Sequence, residues 1–261
     1  MIEVRHVSLS YGKTPALKDV SLCVRPGEFV AIMGPGASGK STLARVMDGL
    51  YLPDAGDCLV DGVSTRADPM RARRLVGLVL QEPDDQAVAR RVADDLAFGP
   101  RNIGAADIPE RVAEALLQTG IAHLADRDIG SLSGGQKQLV AIAGVLAMRP
   151  AYLVMDEPTS LLDSDGKRAV MDAVATQKHA GRGVAVITQD PSVAARADRV
   201  VVMSRGSVVA QGPPAEAFAK VPPGLIGLPE MTRLSNGLRD RGIAVKRLWL
   251  TVDDAAEELC R

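Results

Sequence analysis

The chain has 261 residues, of which 46% are hydrophobic and 3% aromatic, with 31 Lys and Arg against 32 Asp and Glu. That length accommodates one large α/β domain with a small appendix, and a chain of this size buries a core without covalent or metal staples. The net charge of −1 and the scarcity of aromatics leave neither the basic face nor the stacking surface of a nucleic-acid binder, so no nucleic acid is expected as a partner.

Cys23, Cys58 and Cys260 have no metal-ligand spacing and fit isolated, reduced thiols. The opening Met1-Ile2-Glu3-Val4-Arg5 does not read as a signal peptide. No apolar run reaches the roughly 18–20 residues of a membrane span. The expectation is a soluble protein, or one held to a membrane by a partner.

Residues 2–9 alternate apolar and polar side chains, as in a half-buried strand, and residues 20–24 read likewise. Phe29-Val30-Ala31-Ile32-Met33 is a continuous apolar run, the pattern of a strand covered on both faces. A Gly-rich loop follows, then a helix from about Ser41 that Gly49 can end in a left-handed cap. Residues 85–148 are Ala-rich and helical in pattern, and Asp107-Ile108-Pro109-Glu110 resembles a capping box. This section reads as a helical subdomain inserted into a sheet. Residues 151–155, 184–187 and 199–203 repeat the buried-strand pattern, which implies a mainly parallel sheet covered by helices. Past residue 212, Pro213-Pro214 and Pro222-Pro223-Gly224 break the chain, and two short amphipathic helices are expected. The division is therefore residues 1–211, with the helical section at 85–148, and an extension over 212–261.

Gly34-Pro35-Gly36-Ala37-Ser38-Gly39-Lys40-Ser41 matches G-x-x-x-x-G-K-[ST] between a buried strand and a helix. Small residues let backbone N–H groups face a polyphosphate, and the helix N-terminus adds partial positive charge. Lys40 brings a full charge to the β- and γ-phosphates, and the Ser41 hydroxyl can ligate Mg²⁺. If Ala37 needs a positive φ, it costs about 1 kcal/mol relative to glycine, strain that Gly36 can absorb. Downstream, Leu153-Val154-Met155-Asp156-Glu157 is an apolar strand ending in two carboxylates, at the end where parallel sheets bind ligands. Asp156 is expected near the metal and Glu157 as general base toward an attacking water.

Leu132-Ser133-Gly134-Gly135-Gln136, between the phosphate loop and the acid pair, completes an order that resembles the ABC-type ATPases over about residues 1–215. The resemblance implies their fold: a P-loop, RecA-like, mainly parallel sheet with an N-terminal antiparallel β subdomain, an inserted helical subdomain and a short C-terminal extension. It implies ATP with Mg²⁺ as cofactors, and hydrolysis at a seam where Ser133, Gly134, Gly135 and Gln136 touch the ATP of a second subunit. Ser133 can also cap its own helix. By the same resemblance Tyr11 lies where the family stacks an aromatic on adenine, although a strand-end tyrosine also serves as packing. Thr42 joins the nucleotide set, Gln81 holds the place of a glutamine that contacts Mg²⁺ and senses the transporter partner, and Asp163 lies in the loop crossing the dimer interface.

Three positions depart from the pattern. Gln189 stands where the family has a histidine beside the γ-phosphate, Leu139 where it has arginine, and Ala37 where it often has glycine. Glutamine can hydrogen-bond phosphate or water but carries no proton near neutral pH. These changes fit either drift or an asymmetric pair, in which this chain holds a slowed site and lends its signature to a stronger one.

Gln81-Glu82-Pro83-Asp84-Asp85-Gln86, Asp94-Asp95-Leu96-Ala97-Phe98-Gly99-Pro100 and the helix after the signature are similar to the ATPases of energy-coupling factor importers, as is the tail around residues 227–243. That branch implies vitamin or transition-metal uptake and a peripheral place on the cytoplasmic side of the membrane. Its partners are a second ATPase subunit, identical or related, a transmembrane coupling protein and, indirectly, a substrate-capturing membrane protein. The rival expectations are an ATPase of another ABC importer class, a soluble ABC ATPase working on ribosomes or DNA, and a non-hydrolysing regulatory module. The last is disfavoured by an intact Glu157.

Overall fold

The computed structural model describes residues 1–222 and 224–259; Pro223, Cys260 and Arg261, and with them the expectation of a free Cys260 thiol, lie outside the described residues. In chain order the elements begin with β1 (Ile2–Tyr11), β2 (Thr14–Val24), β3 (Phe29–Met33), α1 (Lys40–Met47), β4 (Ala55–Val60), β5 (Val63–Ser64), α2 (Pro69–Leu75) and β6 (Val76–Val79). Three helices follow, α3 (Val92–Asn102), α4 (Ile108–Gln118) and α5 (Gly134–Leu146). The chain then runs through β7 (Tyr152–Asp156), α6 (Ser164–His179), β8 (Gly183–Ile187), α7 (Pro191–Ala194), β9 (Arg199–Ser204) and β10 (Ser207–Gly212). It ends with α8 (Pro214–Lys220), α9 (Glu230–Asp240) and α10 (Val252–Leu259).

Two sheets organise these elements. β2-β1-β4-β5 form an antiparallel sheet, and β10-β9-β3-β8-β7-β6 form a larger one. In the larger sheet every pair from β9 to β6 is parallel, and β10 alone runs antiparallel, on an edge. The continuous apolar runs have their reason here. Phe29, Ala31 and Met33 of β3 enter one hydrophobic cluster with α5 and α6, while Val30 and Ile32 enter another with α1 and the small sheet. Leu153 and Met155 of β7 likewise oppose Tyr152 and Val154. A strand buried on both faces has no solvent side on which to place polar residues.

The carboxyl ends of β3, β7 and β8 therefore emerge side by side, and each continues directly into a motif: the Gly-rich loop, the acid pair and Gln189. Between β6 and β7 the chain is helical, as expected, with α3, α4 and α5 packed on one another.

Three local expectations are corrected. Asp107 does not cap α4 with its side chain; its carboxylate is instead held by Arg111 at 2.6 Å and Arg149 at 2.7 Å. Two guanidinium partners outcompete one backbone N–H. The tail carries three helices rather than two, because Pro214 opens α8 instead of breaking the chain. The strain of the Gly-rich loop falls on Ala37 itself, at φ 58°, and not on Gly36, which has no positive φ. The expected left-handed stop after α1 is present, with Gly49 at φ 72°.

The tail packs around the chain's single tryptophan. Trp249 is fully buried, its indole N–H donates to Glu258 at 3.0 Å, and its carbonyl accepts the Thr232 hydroxyl at 2.7 Å.

Candidate nucleotide site

The Gly-rich loop joins β3 to α1, so the first turn of that helix points its free N–H groups at the loop's hollow. Gly39 precedes the helix at φ 98°, and a Cβ there would stand 2.5 Å from the carbonyl oxygen of Ala16, so only glycine fits. The Lys40 side chain lies back along the loop. Its ammonium donates to the carbonyls of Gly34 at 2.8 Å and Pro35 at 2.9 Å and to the Ser38 hydroxyl at 3.3 Å. Burial lowers the Lys40 pKa, and the neighbouring charges of Glu157 and Asp156 oppose that shift. Ser41 is exposed beside it, while Thr42 is buried and its hydroxyl meets that of Tyr11 at 3.1 Å.

Asp156 ends β7 and Glu157 follows it, both nearly inaccessible. Glu157 sits at φ 50°, an unusual backbone conformation for a non-glycine residue, which the bond from its N–H to the Ile187 carbonyl at 2.9 Å helps to hold. One carboxylate oxygen accepts the Gln189 backbone N–H at 3.3 Å, and the other has no partner. Burial pushes the Glu157 carboxyl above its usual range; Gln189 and Lys40 pull it back in part, and the Asp156 charge adds to the rise. Asp156 also keeps one buried oxygen without a partner. A buried, unpaired carboxylate oxygen costs roughly 1–3 kcal/mol, so two side by side mark a place that a cation and its ligands relieve.

Two residues beyond the sequence motifs enter the site. Arg45 stands 4.0 Å from the Asp156 carboxylate, donates to the Ser41 carbonyl at 2.9 Å and lies over the Tyr51 ring. Tyr51 in turn meets Tyr11 edge-on, ring centres 6.0 Å apart. Arg45 is four residues past Ser41 on a helix already expected, so i,i+4 spacing was the available signal.

The signature segment forms the N-terminus of α5. Ser133 accepts from the Gln136 N–H at 3.3 Å while the Gln136 side chain accepts from the Ser133 N–H at 3.1 Å, a reciprocal capping box. Ser133 and Gly134 remain exposed. Asp163 caps α6 next to it by accepting from the Gly166 N–H at 2.8 Å. Leu139 is buried in the core, and the Gln189 side chain is exposed. The loop, the acid pair and Gln189 are thus brought together; Ser133, Gly135 and Asp163 border a hollow of about 450 Å³, and Gly134 also borders a cavity of about 150 Å³ that reaches Glu157.

A family model described as ABC transporter matches residues 17–160. The chain belongs to the ABC transporter ATPase family. It is 46% identical, over 98% of its length and 95% of theirs, to an energy-coupling factor transporter ATP-binding protein of Symbiobacterium thermophilum. A Bacillus subtilis protein of the same description is 42% identical over 99% of this chain and 96% of its own. Among solved structures, cbiO1 from Clostridium perfringens, described as part of an ABC transporter complex, superposes with a TM-score of 0.78 at 35% identity, covering 92% of this chain and 94% of that one. A dimeric ATP-binding cassette in a post-hydrolysis state with ADP and Pi gives 0.73 at 29% identity, covering 82% and 98%. This ABC ATPase is an ATP-binding subunit of energy-coupling factor type. No described helix is long and apolar enough to cross a membrane.

Proposed function

We propose that this subunit holds MgATP at a seam with a second ATPase subunit and drives an energy-coupling factor importer by closing and reopening that seam. The observation that carries the reading is the split of the site. Lys40, Asp156 and Glu157 converge at the strand ends, while Ser133 faces outward from a separate capped helix tip. Ser133 is exposed at that tip while it caps α5, and in this reading it serves a partner's nucleotide.

In this reading residues 1–211 are the ATPase domain, 85–148 its helical subdomain and 212–261 a pairing extension. Gly34 to Thr42 cradle the phosphates, and Tyr11 offers its half-exposed ring to adenine. Ser41, Asp156 and Gln81 would hold Mg²⁺, whose charge offsets that of the phosphates. The orphaned oxygen of Asp156 fits that role. Among the described residues no cluster of three or more His, Cys, Asp or Glu could hold a metal. Glu157 accepts the proton of the attacking water through its unpartnered oxygen. Gln189 keeps Glu157 in place through its N–H but supplies no cationic contact, so this site turns over slowly.

The groove of about 260 Å³ between α3 and α5, lined by Val88, Phe98, Gly99 and Met148, receives short helices of the coupling protein. Phe98 is 47% exposed at its rim, an apolar contact awaiting cover. The subunit lies on the cytoplasmic face of the membrane through that contact.

The test is Glu157→Gln with ATP and Mg²⁺, followed by light scattering with and without the related ATPase and coupling protein. A stable nucleotide-bound pair is expected. A strictly monomeric protein in every combination refutes the reading.

A further inference from the structure

One motif remains unused by the site as described, the turn from Glu82 to Gln86. It follows β6, the outermost strand of the large sheet, which among the described residues pairs with β7 alone. Its free edge therefore presents backbone groups with no neighbouring strand. Gln86 covers them. Its side-chain oxygen accepts the Leu80 N–H at 2.7 Å, and its side-chain NH₂ donates to the Leu78 carbonyl at 3.1 Å. One amide, with a donor and an acceptor side by side, replaces one residue of an absent strand. The turn is thereby drawn shut with Gln81 at its start.

The turn's tip is fixed as well. Asp84, on the 3-10 turn Pro83–Asp85, accepts the Lys137 ammonium with both carboxylate oxygens, at 2.7 and 3.0 Å. Lys137 lies on the first turn of α5, four residues after Ser133. Beyond the turn, Asp95 accepts the N–H groups of Val88 and Ala89 at 2.7 and 2.8 Å, which holds the chain as it enters α3. Between turn and α5 lies a cavity of about 150 Å³ bordered by Gln81, Gly134 and Glu157.

We propose that Gln86 and the Asp84–Lys137 pair are positioning residues that set where Gln81 stands and tie that position to the signature tip of the same chain. This rests on the reading above that Gln81 contacts Mg²⁺ and Ser133 a partner's nucleotide. A glutamate at position 86 accepts from Leu80 but cannot donate to Leu78, and a leucine does neither, so the two replacements grade the effect. The ion pair is the weaker brace, because Asp84 is 66% exposed at its side chain.

The test uses the full chain and three readouts: amide hydrogen exchange, Mg²⁺-dependent nucleotide binding, and the Mg²⁺ concentration for half-maximal ATPase. Gln86→Leu is expected to speed exchange at Leu80 by about tenfold, the worth of one net hydrogen bond. It should raise the half-saturating Mg²⁺ several-fold, with Mg²⁺-free nucleotide binding unchanged. Gln86→Glu falls between. Asp84→Asn loosens the first turn of α5 by about 2–5-fold in exchange, and the exchanged pair Asp84→Lys with Lys137→Asp restores it at low salt. Unchanged exchange at Leu80 in Gln86→Leu overturns the proposal. So does faster exchange with a wild-type Mg²⁺ requirement, provided Gln81→Ala shifts that requirement. If Gln81→Ala leaves it unmoved, the reading of Gln81 fails instead, and exchange at Leu80 and in α5 alone decides the bracing.

Discussion

Asp48→Asn tests how far burial governs the helix that carries the phosphate loop. Asp48 closes α1 at the negative end of its dipole, half-buried, and burial pushes its pKa from 3.8 to about 7 despite the nearby Arg73 charge. The folded state thus binds this proton more tightly than the unfolded chain, so stability is full below the unfolded pKa. It falls as pH rises through the window between the two values, and levels off above the folded one. At about 1.4 kcal/mol per tenfold change in proton affinity, the loss at about pH 8 is at most about 4.5 kcal/mol. Asparagine keeps the shape without the charge. It should match the wild type near about pH 3 and exceed it by roughly 2–4 kcal/mol near about pH 8, or roughly 5–10 °C in melting temperature for a chain of this size. Melts at a series of pH values measure this. A gain that is the same at every pH, or none at about pH 8, refutes the assignment of the cost to ionised Asp48.

Four further outcomes are expected. Gln189→His adds a cationic contact beside the strand end of Glu157 and should raise the ATPase rate by about 10–10²; an unchanged rate means glutamine is no handicap here. Glu157→Gln should lower hydrolysis by at least about 10²-fold while ATP binding persists, as filter binding with labelled ATP would show. Ala37→Gly removes a left-handed alanine at φ 58°, but glycine's freer unfolded chain offsets much of the gain, so stability should rise by less than about 1 kcal/mol in a denaturant titration. Gly166→Ala places a methyl 3.1 Å from the Asp163 carboxylate and 3.4 Å from the Gly135 Cα, and should lower the ATPase of the assembled pair several-fold with an intact fold by circular dichroism.

What the sequence disclosed follows from where each constraint sits. β3, β7, β8 and β9 are legible because burial on both faces leaves an unbroken apolar run. β6 hides because its four residues, Val76-Gly77-Leu78-Val79, follow the helix α2 directly and contain a glycine. β4 hides behind Gly56 and Asp57, and β10 behind the mixed pattern of an edge. The phosphate loop and acid pair are each contiguous, so spacing reveals them. The Lys137–Asp84 pair spans 53 positions, and the partners of Arg45 come from two other segments. No local pattern encodes such contacts. Asp107 is a mixed case: its cap is lost to Arg111, four residues on, and to Arg149, 42 residues away.

The distribution of satisfied and unsatisfied groups bears on what drives the proposed closure. Lys40 already uses three acceptors in its own loop, so a phosphate replaces its partners rather than gaining a free ammonium. Ser133 is likewise bonded within its capping box. Ser133 exchanges bond for bond, at a net change of about 0.5–1.5 kcal/mol, whereas Lys40 trades neutral acceptors for a charged one. Asp156 and Glu157 differ, because each buries an oxygen without a partner among the protein's own groups. The larger relief on loading therefore lies at the acid end, where a cation and an attacking water supply the missing partners. ATP without metal would exchange bonds at the loop and leave that cost in place. If the site works as proposed, metal together with nucleotide, rather than ATP alone, would shift the equilibrium toward the closed pair.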